Sequence, residues 1–287
     1  MTRRKRPPLS PKRADYVDGR ASGRLVGKPL HYPAGVAERY RKALDRLIAP
    51  MIKEYEREIK ALWNDTSLIT MDASLASQSR IQLNKLRETF AKMFRDRAPE
   101  IVEGVLNGVD KHSASSLTSS LKDLSGGLSL KAGFIPAALK ESITAATAEN
   151  VSLIKSIASQ YHERIEGAVM RSIQQGGEGR KTIFEEIRNI DGMTKRRAKF
   201  IAEDQTRKAT EAANTERAKS LGIRKGKWVH SGGGVDKRQK HVDFDGKIFD
   251  LNDPPAIGDK GQKVMPGTEP GCRCFWTPVL EWGGEEE

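Results

Sequence analysis

The chain has 287 residues, with 50 Lys or Arg against 38 Asp or Glu and a formal net charge of +12. An apolar share of 37 %, 31 % charged residues and 6 % aromatics suit a soluble, helix-rich protein better than a compact enzyme with a deep core. No run of about 18 uncharged apolar residues is present, which excludes a bilayer-spanning helix, and no apolar stretch follows the basic start, which excludes a secretory signal.

The basic excess is an N-terminal property: residues 1–50 hold 13 basic against 4 acidic side chains, and the rest of the chain holds 37 against 34. Arg3, Arg4, Lys5 and Arg6 open a segment rich in Arg, Gly and Pro that reaches Pro33. Such a segment cannot bury enough apolar area to fold alone, so a disordered basic arm is predicted over residues 1–33. One reading makes it an arm that neutralises phosphates or an acidic protein groove; the other makes it a solvated tail.

A helical region is expected over 34–175. Val36, Tyr40, Leu44, Leu47, Ile48, Met51, Ile52, Tyr55, Ile59 and Leu62 recur in steps of three and four, predicting one amphipathic helix kinked or split at Pro50. A second stretch runs from about Asp72 to Lys122 with a kink at Pro99. The Ser-rich piece Ser113 to Ser129 reads as a flexible link. A third helix starts near Pro136 and ends before Gly176-Gly177. Packing of these helices into a bundle is the simpler expectation; seating a partner's helices is the alternative.

Thr182 to Asn189 reads as a short helix, Asp191-Gly192 as a turn, and Thr194 to about Leu221 as another helix with a small-residue face. Gln205 on that face needs a hydrogen-bond partner if buried. Ile187, Ile190, Gly192, Ala198 and Ile201 follow much of the spacing of a phosphate-binding helix-hairpin-helix. With Thr194 in place of a second glycine, an ordinary αα-corner explains the same residues.

After Gly222 the pattern changes to short strands: Lys227 to His230, Lys247 to Phe249, and Arg273 to Leu280 interrupted by Pro278. Asp245-Gly246 is a turn pair whose glycine takes a positive φ. Both cysteines and two of the five histidines lie in this module. If Cys272 and Cys274 sit on a strand, their Cβ atoms are about 6.6 Å apart, too far for a disulfide. With His241 and His230 they offer two thiolates and two imidazoles, the ligand set of many structural zinc sites. The alternative is two small buried packing residues with Arg273 on the opposite face. His241 with Asp236, Asp245 and Arg238 could also be read as a nuclease or phosphotransfer site, though no second base or carboxylate cluster accompanies it.

An ordered set carries a resemblance. Ile201-Ala202 on a helix is followed by Trp228 on a strand, Asp236-x-Arg238-x-x-His241-x-x-x-Asp245-Gly246-x-x-Phe249, and Gly271-Cys272-Arg273-Cys274. It resembles the phage Mu F-type head morphogenesis proteins, a broad family that includes the minor capsid protein of SPP1-type phages. The resemblance covers about residues 176–280. It departs at Gln205: the family helix usually reads Ile-Ala-Arg-Thr-Glu, and here Ile201-Ala202 precedes Glu203-Asp204-Gln205.

The resemblance implies a non-enzymatic minor head protein made in the host cytoplasm and placed inside the virion head near the portal. Its implied partners are the portal protein, the major capsid or scaffold protein and packaged double-stranded DNA, with a role for some relatives in DNA delivery. No membrane and no cofactor beyond a structural zinc are expected. Some relatives carry toxin-like domains after this module; with the chain stopping at Glu287, none is expected here. The fold expected is α+β and predominantly helical: long amphipathic helices, then a small mixed α+β module, then an acidic tail over 281–287.

Overall fold

The computed structural model describes residues 23–64, 75–122, 137–175, 180–233 and 237–282. Within them the order is β1 (Gly23–Val26), α1 (Ala34–Asn64), α2 (Leu75–Lys122), α3 (Ala137–Gln174), α4 (Arg180–Ser220), β2 (Lys225–Val229), α5 (Gln239–Asp243), β3 (Ile248–Asp250) and β4 (Phe275–Trp282). The protein is a predominantly helical α+β fold.

The apolar stripe of α1 forms the centre of the helical body. Tyr40, Leu44, Ile48, Met51, Tyr55 and Ile59 are buried against Leu83 and Phe94 of α2, Tyr161 and Ile165 of α3, and Ile187 and Ala198 of α4. Tyr55 meets Tyr161 edge-on, with centroids 5.2 Å apart. Pro50 and Pro99 do not divide their helices: both are exposed, and the residues before and after them face one shared core. That packing carries the helix across the missing N–H bond.

The expected flexible link is corrected up to Lys122. Ser113, Leu117, Ser120 and Leu121 form a buried face at the end of α2, and the Ser120 hydroxyl donates to the Lys28 carbonyl at 2.8 Å. The rest of that link lies outside the described residues. The expected corner at Asp191-Gly192 is also absent, because α4 runs unbroken through it. Asp191 is spent on a tertiary contact, accepting the Tyr161 hydroxyl at 2.9 Å, and Thr194 returns its hydroxyl to the Ile190 carbonyl. Without the corner there is no glycine-lined turn to hold a phosphate, so the helix-hairpin-helix reading falls.

The strands form one antiparallel sheet in the order β1-β4-β2-β3. The expected disordered arm therefore needs correcting over residues 23–33. Gly23–Val26 pairs with Val279–Trp282, Gly27 and Leu30 donate to the Pro278 and Trp276 carbonyls, and Leu30 is buried. The segment does not fold alone; it borrows the module's open edge. Residues 1–22, with Arg3, Arg4, Lys5 and Arg6, lie outside the described residues. Glu281, expected in an acidic tail, belongs to β4 and pairs with Arg24 and Lys225, each at 2.7 Å.

The sheet has its own core: Trp228, Phe249, Leu251, Val264 and Trp276, closed by Leu30, by Leu117 and Leu121 of α2, and by Ala218 of α4. At Gly226 an added Cβ would stand 2.9 Å from the Trp276 ring and 3.1 Å from the Phe249 ring. Glycine is required there by close approach. No described helix is long and apolar enough to cross a membrane.

Candidate functional site

Three of the module's signature residues, His241, Cys272 and Cys274, converge on one buried cluster. Positive-φ glycines at 267 and 271 turn the chain before β4 and deliver Cys272 and Cys274 inward, while Arg273 between them faces out. The strand starts only at Phe275, so the cysteines are not on it as expected. The short helix α5 supplies His241 from the other side. Its Nδ1 lies 3.5 Å from the Cys272 sulfur and 3.7 Å from the Cys274 sulfur. Both thiols are free, and the three ligand atoms lie within 4.8 Å of one another.

Behind the histidine, its Nε2 faces the Glu269 carboxylate at 3.0 Å. Glu269 also meets Arg238 at 3.2 Å and accepts from the Asp259 N–H and the Gln262 amide. Trp228 closes the cluster with its ring edge-on to His241 at 5.1 Å. The site is dry: His241 is 2 % exposed, Glu269 and Cys272 5 %, and Cys274 8 %.

The Cys272 thiol is drawn down from its ordinary value, first by its neighbour Cys274 and against the opposing pull of burial. Cys274 moves up, because it faces that developing thiolate and is buried.

The other expected residues have defined places. Asp245 accepts the His230 N–H at 2.8 Å, and Gly246, at φ 76°, donates to the Trp228 carbonyl. Phe249 packs on Trp228 at 5.9 Å, and Ile201 and Ala202 are buried in the helical core. Arg238 reaches Asp259 and the Pro270 carbonyl; Asp236 lies outside the described residues. His230 does not join the cysteines: its Nδ1 accepts the Gly232 N–H. The phosphotransfer grouping is not assembled as expected: His241 and Arg238 both meet the Glu269 carboxylate, whereas Asp245 is held apart by the His230 N–H.

Two carboxylates escaped sequence reasoning. Glu269 is at the cluster, and Asp204 on α4 accepts the Gly271 N–H at 2.8 Å, hanging the cysteine loop on the helix. The signal available for Glu269 was its position between turn glycines, in Gly267-Thr268-Glu269-Pro270-Gly271, directly before the cysteines.

Residues 163–277, from late α3 to β4, match the family described as Phage Mu protein F like protein. An uncharacterized protein of Haemophilus influenzae is 33 % identical over 248 residues, covering 84 % of this chain and 53 % of that protein. The chain thus spans about half the length of that relative. The uncharacterized protein YqbB of Bacillus subtilis is 23 % identical over 265 residues, covering 85 % of this chain and 78 % of its own. No solved structure matches the chain significantly. The match at 163–277 takes in Trp228, His241, Cys272 and Cys274, so the part of this chain that resembles the Phage Mu protein F like family is the part that builds the buried cluster.

Proposed function

We propose that the protein is a minor head component that docks at the portal or inner capsid during procapsid assembly. One observation carries the reading beyond the family match at 163–277. The signature residues Trp228, His241, Phe249, Cys272 and Cys274 face inward and hold one small core together. A signature spent on shape suits a part that other virion proteins grip. A catalytic histidine needs access to substrate, and the 2 % exposure of His241 favours architecture over turnover.

In this reading the partners are the portal protein and the major capsid or scaffold protein, and the place is inside the head near the portal. Contact with packaged double-stranded DNA, with a role in its ejection, is the second reading. The basic excess of residues 1–50 supports it, because phosphate neutralisation scales with clustered Lys and Arg. The portal reading is tested by sedimenting purified protein with portal oligomers in the absence of DNA. Co-sedimentation that survives nuclease treatment supports it; protein left wholly in the supernatant rejects it.

A further inference from the structure

We propose that His241, Cys272 and Cys274 bind one zinc ion that clips α5 to the loop before β4. The spacing fits a coordination shell. In a tetrahedral site with Zn–S near 2.3 Å and Zn–N near 2.0–2.1 Å, the nitrogen-to-sulfur edge is about 3.6 Å. The two edges here are 3.5 and 3.7 Å. A simple packing role for the cysteines requires neither this spacing nor an imidazole nitrogen aimed at both sulfurs.

The surroundings fit as well. The Glu269 carboxylate at Nε2 favours the tautomer with its proton there, leaving the Nδ1 lone pair for the metal. Charge also balances: two thiolates and a neutral imidazole cancel Zn²⁺, and Glu269 is matched by Arg238. A buried site with no net charge is the one least penalised by desolvation.

Two thiolates and an imidazole select zinc over magnesium or calcium, which prefer oxygen. Among the described residues no fourth His, Cys, Asp or Glu joins the group, so three protein ligands are assigned. Through Asp204 and Gly271 the clipped loop is tied to α4, so the ion also fixes the module's seat on the helical body. On binding, each thiol gives its proton to solvent and no electron moves.

Full-length protein prepared under reducing conditions, without a histidine tag, tests this directly. Expected are one zinc per chain by elemental analysis, two thiols that react with a disulfide reagent only after chelation, and a thiolate-to-metal charge-transfer band on replacement by Co²⁺. Glu269→Gln leaves all three ligands in place and should weaken zinc in a chelator competition by roughly 10–100-fold. Cys272→Ser should abolish the charge-transfer band or the fold. Metal-free reduced protein that takes up neither zinc nor cobalt, or thiols equally reactive with and without zinc, would overturn the proposal. So would a Cys272–Cys274 disulfide in protein kept reduced throughout. None of these outcomes depends on where in the virion the protein resides.

Discussion

Glu211 lies fully buried between α4 and the sheet, where its Oε1 accepts the Trp276 indole N–H at 2.7 Å and the Thr215 hydroxyl at 2.9 Å. Burial pushes its pKa from 4.5 up to about 8, against the pull of those two donors and with Cys272 adding to the rise. The folded chain therefore keeps a proton that the unfolded chain releases. This contribution to stability is fully present below about pH 4.5 and is lost as the pH rises through about 8. Its slope cannot exceed about 1.4 kcal/mol per pH unit. Glu211→Gln keeps the acceptor and removes the proton, so urea unfolding from pH 5 to 8 should decline less steeply than in the parent. Parallel profiles would show that Glu211 is ionised in the fold.

Gly226 makes a second prediction at this scale. A methyl group there meets Trp276 and Phe249 at less than ordinary contact distance, and both rings are held by the core. Gly226→Ala should cost about 1–3 kcal/mol of overpacking in denaturant unfolding. A neutral substitution would mean that the rings shift freely.

Among the elements, α1, α3 and α4 are joined by a polar chain that starts in the core at Tyr40 and ends at the exposed Glu149. The Tyr40 hydroxyl donates to Asn150, the Asn150 amide donates to Gln205, and the Gln205 amide donates to Glu149, at 3.0, 3.1 and 3.1 Å. This gives the Gln205 amide a structural role as both acceptor and donor. Gln205→Glu would lose the donor and set a carboxylate against Glu149, costing about 1–3 kcal/mol. Adding Glu149→Gln should recover much of that loss in the double variant, because the new amide can donate to the new carboxylate. Equal stability of parent and Gln205→Glu would contradict the assignment.

The same elements show what could be read from sequence and why the rest could not. The stripe from Val36 to Ile59 is a local, repeated pattern, and its burial follows from periodicity alone. The Asp245-Gly246 turn was legible because only one residue type takes that φ easily. Pro50, Pro99 and Asp191-Gly192 are local breaking signals that long-range packing overrides, as the Tyr161–Asp191 contact shows. Strand β1 was invisible because its four residues carry no alternation and its partner lies some 250 positions away. The ligand trio was visible as residue types, but its carboxylate support at Glu269 and Asp204 comes from a loop and a helix that only the fold brings together. For β1 the expectation is concrete. A chain beginning at Tyr32 should unfold at least about 2 kcal/mol more easily than one beginning at Gly23, since it lacks the Leu30 burial and the bonds to Pro278 and Trp276. Equal midpoints would show that the edge strand adds nothing.

For the whole molecule, charge and partner choice meet at the N-terminus. If residues 2–22 contact DNA, affinity should fall steeply between 50 and 200 mM salt, and removing them should flatten that dependence. The deletion must stop short of Gly23, because the following strand belongs to the sheet. An unchanged salt slope would leave the arm with no part in DNA contact.

The reading of the protein as a virion part predicts that it is present in heads during assembly. The direct measurement is quantitative mass spectrometry of purified procapsids, before DNA is packaged, from a phage or prophage whose genome carries this sequence. A few copies per head, retained with the portal and absent from heads assembled without portal, is the predicted result. Procapsids that carry portal and scaffold but none of this chain would contradict it.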